Sequence, residues 1–255
     1  MGWALDLDGV VWLAEEPIPG AAAAIECLRA AGEDVVFCTN NSSEPVAAVE
    51  AKLARQGIPA GGQVLTSAAA AATLVEPGER VLVCGGPGVV EALSARGAVP
   101  VRDGDADTVM VGFDRGFDYE RLRIAATAVR RGARLIGTNA DPTYPTPDGL
   151  IPGGGSILAA VATASGVTPV VAGKPHEPMA ALVRARLGPG GTMVGDRRDT
   201  DGLLAARLGY RFVLVLSGST TAEDLAPAAP ELPPPDLVAP DLAAAVAQLV
   251  AGPAS

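Results

Sequence analysis

Two aspartates, Asp6 and Asp8, stand one residue apart at the end of the apolar run Trp3-Ala4-Leu5. A strand that ends there turns residues i and i+2 to the same side, so both carboxylates face one spot. Gly9 then lets the chain turn away sharply. Such a pair can hold a divalent cation, and one member can attack a phosphorus while the other moves protons. Two solvated acids at a strand end are the plain alternative, and the pair alone does not choose.

Three further segments carry comparable chemistry. Thr39-Asn40-Asn41 follows the apolar run Val35-Val36-Phe37-Cys38. Ahead of a helix starting near Ser43, a hydroxyl donor and the following backbone N–H groups suit an anion, although an ordinary helix cap would look the same. Gly173-Lys174-Pro175 follows Pro169–Ala172. A lysine fixed between glycine and proline is a compact cation able to screen a phosphate from a carboxylate nucleophile, the alternative being a surface turn. Gly195-Asp196-Arg197-Arg198-Asp199-Thr200-Asp201 follows Thr192-Met193-Val194. Three acids at a strand end suggest hard-metal ligation, with Asp196 nearest the strand and Asp201 supporting from the next helix. Helix N-terminal acids account equally well for Asp199 and Asp201.

The elements that must position these residues alternate along the chain. Short apolar runs predict strands at Trp3–Asp6, Val35–Thr39, Arg80–Cys84, Thr108–Gly112, Arg134–Thr138, Pro169–Ala172, Thr192–Gly195 and Phe212–Leu216. Alanine-rich amphipathic stretches predict helices near 20–31, 43–56, 67–75, 87–96, 118–131, 156–165, 178–187, 200–208 and 242–250. Ser43, Thr66, Asp118 and Asp241 read as N-caps, and Gly32, Gly57, Gly132 and Gly166 as C-terminal stops. The alternation implies α/β with a largely parallel sheet. Residues 226–240 are proline-rich and read as irregular structure. In open α/β sheets ligands bind outside the carboxyl ends of the strands, and all four motifs fall at such ends. Weak singly, they are jointly specific.

Composition narrows the partners. A net charge of −10 argues against nucleic acid or an anionic membrane surface, both of which demand basic patches. Cys27, Cys38 and Cys84 lack metal or redox spacing and read as buried free thiols of a reducing compartment. With no long apolar run or signal-like start, the expected location is cytoplasmic.

Together the four ordered motifs resemble those of the haloacid dehalogenase (HAD) superfamily. The Thr-Asn-Asn form and the long gap between the second and third motifs resemble its class IIA phosphatases. The resemblance implies a Rossmann-like parallel-sheet core, 1–79 plus 172–255, with an inserted α/β cap domain at 80–171. It implies a Mg²⁺-dependent hydrolysis of a small phosphorylated metabolite through an aspartyl-phosphate. Carried onto this sequence, Asp6 is the nucleophile and Asp8 the acid/base. Thr39 and Asn40 bind the phosphoryl group, and Lys174 steadies nucleophile and phosphate. Asp6, the backbone carbonyl of Asp8 and Asp196 bind Mg²⁺, with Asp201 in support. The resemblance also implies a homodimer joined through the caps.

Residues 138–143 and 152–156 resemble the cap loop over the active site, placing Asn139, Asp141 and Gly154 near the leaving group; a structural turn is the alternative. Gly85-Gly86-Pro87-Gly88 lacks dinucleotide spacing. His176 reads as a passive surface residue, and Trp3 and Trp12 as packing residues. Competing chemistries are a dehalogenase, which needs no acid at Asp8, phosphonate chemistry, a phosphotransferase of the same superfamily, and a phosphoaspartate receiver, which is a shorter chain.

Overall fold

Gly2–Leu5 is a strand buried along its whole length, which is why its sequence is continuously apolar rather than alternating. It lies between Asp34–Thr39 and Gly191–Gly195, parallel to both. The full sheet has six strands, ordered Leu237–Ala239, Arg211–Val215, Gly191–Gly195, Gly2–Leu5, Asp34–Thr39 and Val64–Thr66. The structure is a computed structural model that describes residues 2–14, 16–146, 149–223 and 232–250. It comprises two compact units: Met1–Thr39 with Glu50–Leu65 and Ala180–Ser255, and Asn40–Val49 with Thr66–Met179.

The first unit is built on the six-stranded sheet. Leu5 is level with Phe37 on one side and Val194 on the other. Asp6 and the Gly195-Asp196 pair therefore leave the sheet at the same edge. The helix Ala21–Ala30 buries Ala21, Ala24, Ile25 and Leu28, the stripe of an amphipathic helix. It ends just before Gly32, whose φ of +77° only glycine adopts readily. Leu242–Val250 packs against it, capped by Asp241 Oδ1 accepting from Ala244 N at 2.8 Å.

The second unit has a five-stranded sheet ordered Val170–Val171, Arg134–Gly137, Thr108–Val111, Arg80–Cys84 and Val99–Val101, with parallel pairing throughout. Leu82, Val109, Val111, Ala125, Val129, Leu135, Leu158 and Val161 form its core beneath Tyr119–Arg130 and Gly154–Ser165. Asp118 and Thr66 cap their helices as expected, accepting from Arg121 N and Ala69 N. Burial pushes the Cys84 thiol up to about 11. The glycine turn at 85–88 serves packing: a Cβ at Gly86 or Gly88 would strike the backbone oxygens of Ser43 and Glu44.

Several expectations are corrected. Ser43 does not cap the second helix, which starts at Val46; its N–H and hydroxyl both donate to Asn41 Oδ1, at 2.9 and 2.7 Å. Pro45, with φ suited to a helix start, defers the helix. Cys27 is exposed, on the solvent side of Ala21–Ala30, while none of the three cysteines is in a disulfide. Leu237–Ala239, inside the proline-rich stretch, is an edge strand paired with Arg211–Val215, a position that tolerates flanking prolines. Residues 226–231 of that stretch lie outside the described residues. The short strands Val64–Thr66 and Val99–Val101 carry too few residues for a visible period.

Candidate active site

Asp6, Asp196 and Asp201 converge at the carboxyl edge of the first unit's sheet. One carboxylate oxygen of each lies within 4.8 Å of the others, and all three residues are buried. Asp6 follows its strand directly, with Leu7 N donating to Oδ1 at 2.8 Å. Asp196 follows Gly191–Gly195, and Ser219 N donates to its Oδ2 at 2.5 Å while Thr220 Oγ1 donates to its backbone oxygen. Asp201 sits in a π-helical turn, Arg198–Gly202, where the sequence predicted ordinary helix, and accepts from Arg197 N at 3.2 Å. Such turns recur at functional sites.

Glycines make room for this cluster. Gly9, at φ +82°, carries no Cβ where one would sit 2.5 Å from Asp196 Oδ2. A Cβ at Gly218 would meet the same carboxylate, and one at Gly195 would overlap the Asp201 carboxylate. Three converging buried carboxylates repel one another unless a cation is shared among them. An all-oxygen set suits a hard divalent cation, so these residues fit a divalent metal.

Asp199 takes no part in the cluster. Its carboxylate forms a two-point pair with Arg197, with contacts of 3.1 and 2.8 Å. Burial pushes its carboxyl up, but the guanidinium's hydrogen bonds and charge and the backbone N–H groups of Asp199 and Thr200 outweigh this and hold it below the usual range. Asp8 also stands outside the cluster of three. Its Oδ1 accepts from Trp12 Nε1 at 3.1 Å. Thr39 is buried at the carboxyl end of Asp34–Thr39.

In the second unit, Asn40, Asn139, Asp141 and Lys174 are brought together. The Asn40 amide grips the Lys174 backbone twice, accepting from its N–H at 2.8 Å and donating to its carbonyl at 3.1 Å. Asn40 Nδ2 also donates to Asp141 Oδ2 at 3.0 Å, and Asn139 Nδ2 donates to the Asn40 carbonyl at 2.7 Å. Lys174 is buried, and Gly173 is required beside it because a Cβ there would lie 2.5 Å from Asn40 Oδ1. Gly154 and its neighbours pack on backbone: a Cβ at Gly154 would lie 3.1 Å from Phe113 N, and one at Gly153 2.5 Å from the Asp141 carbonyl. His176 is half-buried, its N–H donating to the Gly173 carbonyl at 2.8 Å.

Comparison with known proteins decides the family. A family model described as haloacid dehalogenase-like hydrolase matches residues 3–99, and a HAD-hydrolase-like model matches residues 171–245. The acid sugar phosphatase of Staphylococcus aureus is 36% identical over 228 residues, covering 87% of this chain and 88% of that one. The chain belongs to the haloacid dehalogenase-like hydrolases. A glycerol phosphate phosphatase from Mycobacterium tuberculosis, solved in complex with magnesium, superposes with TM-score 0.87 at 37% identity, covering 94% of this chain and 74% of that one. The p-nitrophenyl phosphatase of Archaeoglobus fulgidus gives TM-score 0.89 at 32% identity, covering 96% and 97%. For a hydrolase of this family the α/β architecture is as expected from the sequence.

Sequence reasoning missed two sets of residues at the site. Ser217-Gly218-Ser219-Thr220 braces Asp196 and, through Ser217 Oγ at 2.7 Å, the Gly9 carbonyl. The signal was a run of small hydroxyl residues after the strand Arg211–Val215. Trp12 was assigned to packing alone. It is buried, but its indole also bonds Asp8.

Proposed function

We propose that this chain hydrolyses a small phosphate monoester through an aspartyl-phosphate on Asp6, with Mg²⁺ as the cation. The chain is a phosphoric monoester hydrolase. The observation that carries the reading is the convergence of Asp6 with Asp196 and Asp201, next to an acid, Asp8, held apart from them. Asp6, Asp196 and the backbone carbonyl of Asp8 would hold the cation, with Asp201 in support. When bound, the cation neutralises charge developing on the transferred phosphoryl group.

In the first step an Asp6 oxygen attacks phosphorus, the bond to the leaving oxygen breaks, and Asp8 gives that oxygen its proton. The products are the free alcohol and phosphorylated Asp6. In the second step water attacks phosphorus, Asp8 takes the water's proton, and the bond to Asp6 breaks to release phosphate and restore the carboxylate. The Thr39 hydroxyl and the Asn40 backbone N–H are assigned to the phosphoryl oxygens, because the Asn40 amide is committed to Lys174 and Asp141. Lys174 supplies a positive charge against the phosphate. Residues 80–171 serve as the cap, with Asn139 and Asp141 at the leaving-group side. Among the relatives are acid sugar phosphatases and a glycerol phosphate phosphatase, which support a sugar or polyol phosphate as substrate. The −10 net charge and three cysteines outside any disulfide support a metabolite in the cytoplasm over nucleic acid or membrane. Among the described residues no helix is long and apolar enough to cross a membrane.

The test is acid-quenched trapping with a ³²P-labelled ester. Label should reach Asp6 in the native chain, and Asp6→Asn should lose label and turnover while keeping its circular-dichroism spectrum. Full turnover in the variant would sink the nucleophile assignment. A panel of sugar, polyol and aryl phosphates ranks the substrates by phosphate release.

A further inference from the structure

We propose that Trp12 is a positioning residue for Asp8, aiming its carboxyl at the leaving oxygen. The inference rests on the reading of Asp8 as general acid. Between the two residues the chain doubles back tightly: the N–H groups of Val10, Val11 and Trp12 all donate to the Leu7 carbonyl, at 3.2, 2.9 and 3.2 Å. Gly9 N closes the turn on the Trp12 carbonyl at 2.7 Å. That turn returns the Trp12 indole to Asp8, where Nε1 donates to Oδ1 at 3.1 Å.

Two features separate this contact from simple burial. A buried indole N–H needs an acceptor, and here the acceptor is the one carboxylate with a proton-transfer role. Lys52 also lies over the ring, its Nζ 4.4 Å from the centroid and donating to the Ala14 carbonyl at 2.9 Å. A cation on the π face draws electron density from the indole and strengthens its N–H as a donor, while fixing the ring plane. The bond from the indole to Oδ1 thereby fixes the orientation of the Asp8 carboxyl. The acid is aimed before substrate arrives, which is where general-acid catalysis depends on geometry first.

The experiment measures kcat/KM across phosphate monoesters from 4-nitrophenyl phosphate, whose leaving group needs no proton, to glycerol phosphate, whose leaving group does. This ratio covers the steps through loss of the alcohol and so isolates the acid role of Asp8 from its later role as base. Asp8→Asn calibrates the assay, since it should depress the alkyl ester far more than the aryl ester. Trp12→Phe keeps the ring and removes the N–H. It should lower kcat/KM for the alkyl ester about tenfold and for the aryl ester far less, a fraction of what a general acid contributes. Lys52→Met, with the indole intact, should also lower kcat/KM for the alkyl ester more than for the aryl ester, by a smaller factor than Trp12→Phe, and carries the test should Trp12→Phe not fold. Equal losses on both esters, or no loss, while Asp8→Asn splits them, would overturn the positioning role. If Asp8→Asn itself fails to split them, the general-acid reading falls and this inference falls with it.

Discussion

Five aspartates lie within the two acidic motifs, and their fates differ by what each carboxylate touches. Asp6, Asp196 and Asp201 meet one another, Asp8 meets an indole, and Asp199 outside the cluster meets a guanidinium. Only the first three carboxylates converge on one spot, the place proposed above for the cation. Asp196→Asn removes one charge from it without changing volume. We expect the variant to need at least tenfold more Mg²⁺ for half-maximal activity, read by metal titration of phosphate release, since losing an anionic ligand weakens a hard-cation site. Asp199→Asn, by contrast, should leave that titration where it was. The Asn40 amide is spent on holding Lys174 and Asp141, so the phosphoryl role proposed for this residue falls to its backbone N–H.

At the scale of elements, most helices and strands were legible because each carries a run long enough to show a period or a cap. Asp118 illustrates this, predicted as an N-cap and observed accepting from Arg121 N at 2.8 Å. Asp118→Ala should cost about 1 kcal/mol in denaturant unfolding, the usual loss when a capping carboxylate is removed. Elements that escaped the sequence reading were strands of two to four residues, Thr143–Thr146 and Gly149–Pro152 among them, which borrow their conformation from the neighbour they pair with. The hairpin of Trp12–Leu13 with Glu16–Pro17 is of this kind, and it matters because Trp12 begins it.

For the molecule as a whole, a local source in the second unit contributes stability near neutral pH that is lost in acid. Glu79 accepts from Thr108 Oγ1 at 2.5 Å, from Arg134 at 2.6 Å and from Glu76 N at 3.0 Å. Burial pushes its carboxyl up, but these hydrogen bonds and the charge of Arg134 prevail and hold it below its ordinary 4.5. A depressed folded value means the contribution is complete above 4.5 and is lost as pH falls through the folded value. Urea midpoints of native and Glu79→Gln chains should therefore differ most near neutrality and converge as the solution is taken below pH 4.5. A gap that persists undiminished in acid would rule Glu79 out as the source.

By itself the sequence determined that this is an α/β chain with carboxylate, hydroxyl and lysine side chains at strand ends, because strand period, helix caps and glycine turns are local properties. It placed Asp6, Asp8, Thr39, Lys174 and Asp196 at carboxyl edges on those grounds. Which acids meet was decided only in the tertiary structure. Leu5 must come level with Val194 before Asp6 can reach Asp196, and a π-helical turn must fold Asp201 over Gly195. The hydrogen bond from Trp12 to Asp8 likewise depends on a turn closed by the Leu7 carbonyl and on Lys52 arriving from another helix. Contacts between residues far apart in sequence depend on strand order and register, and no local pattern encodes either.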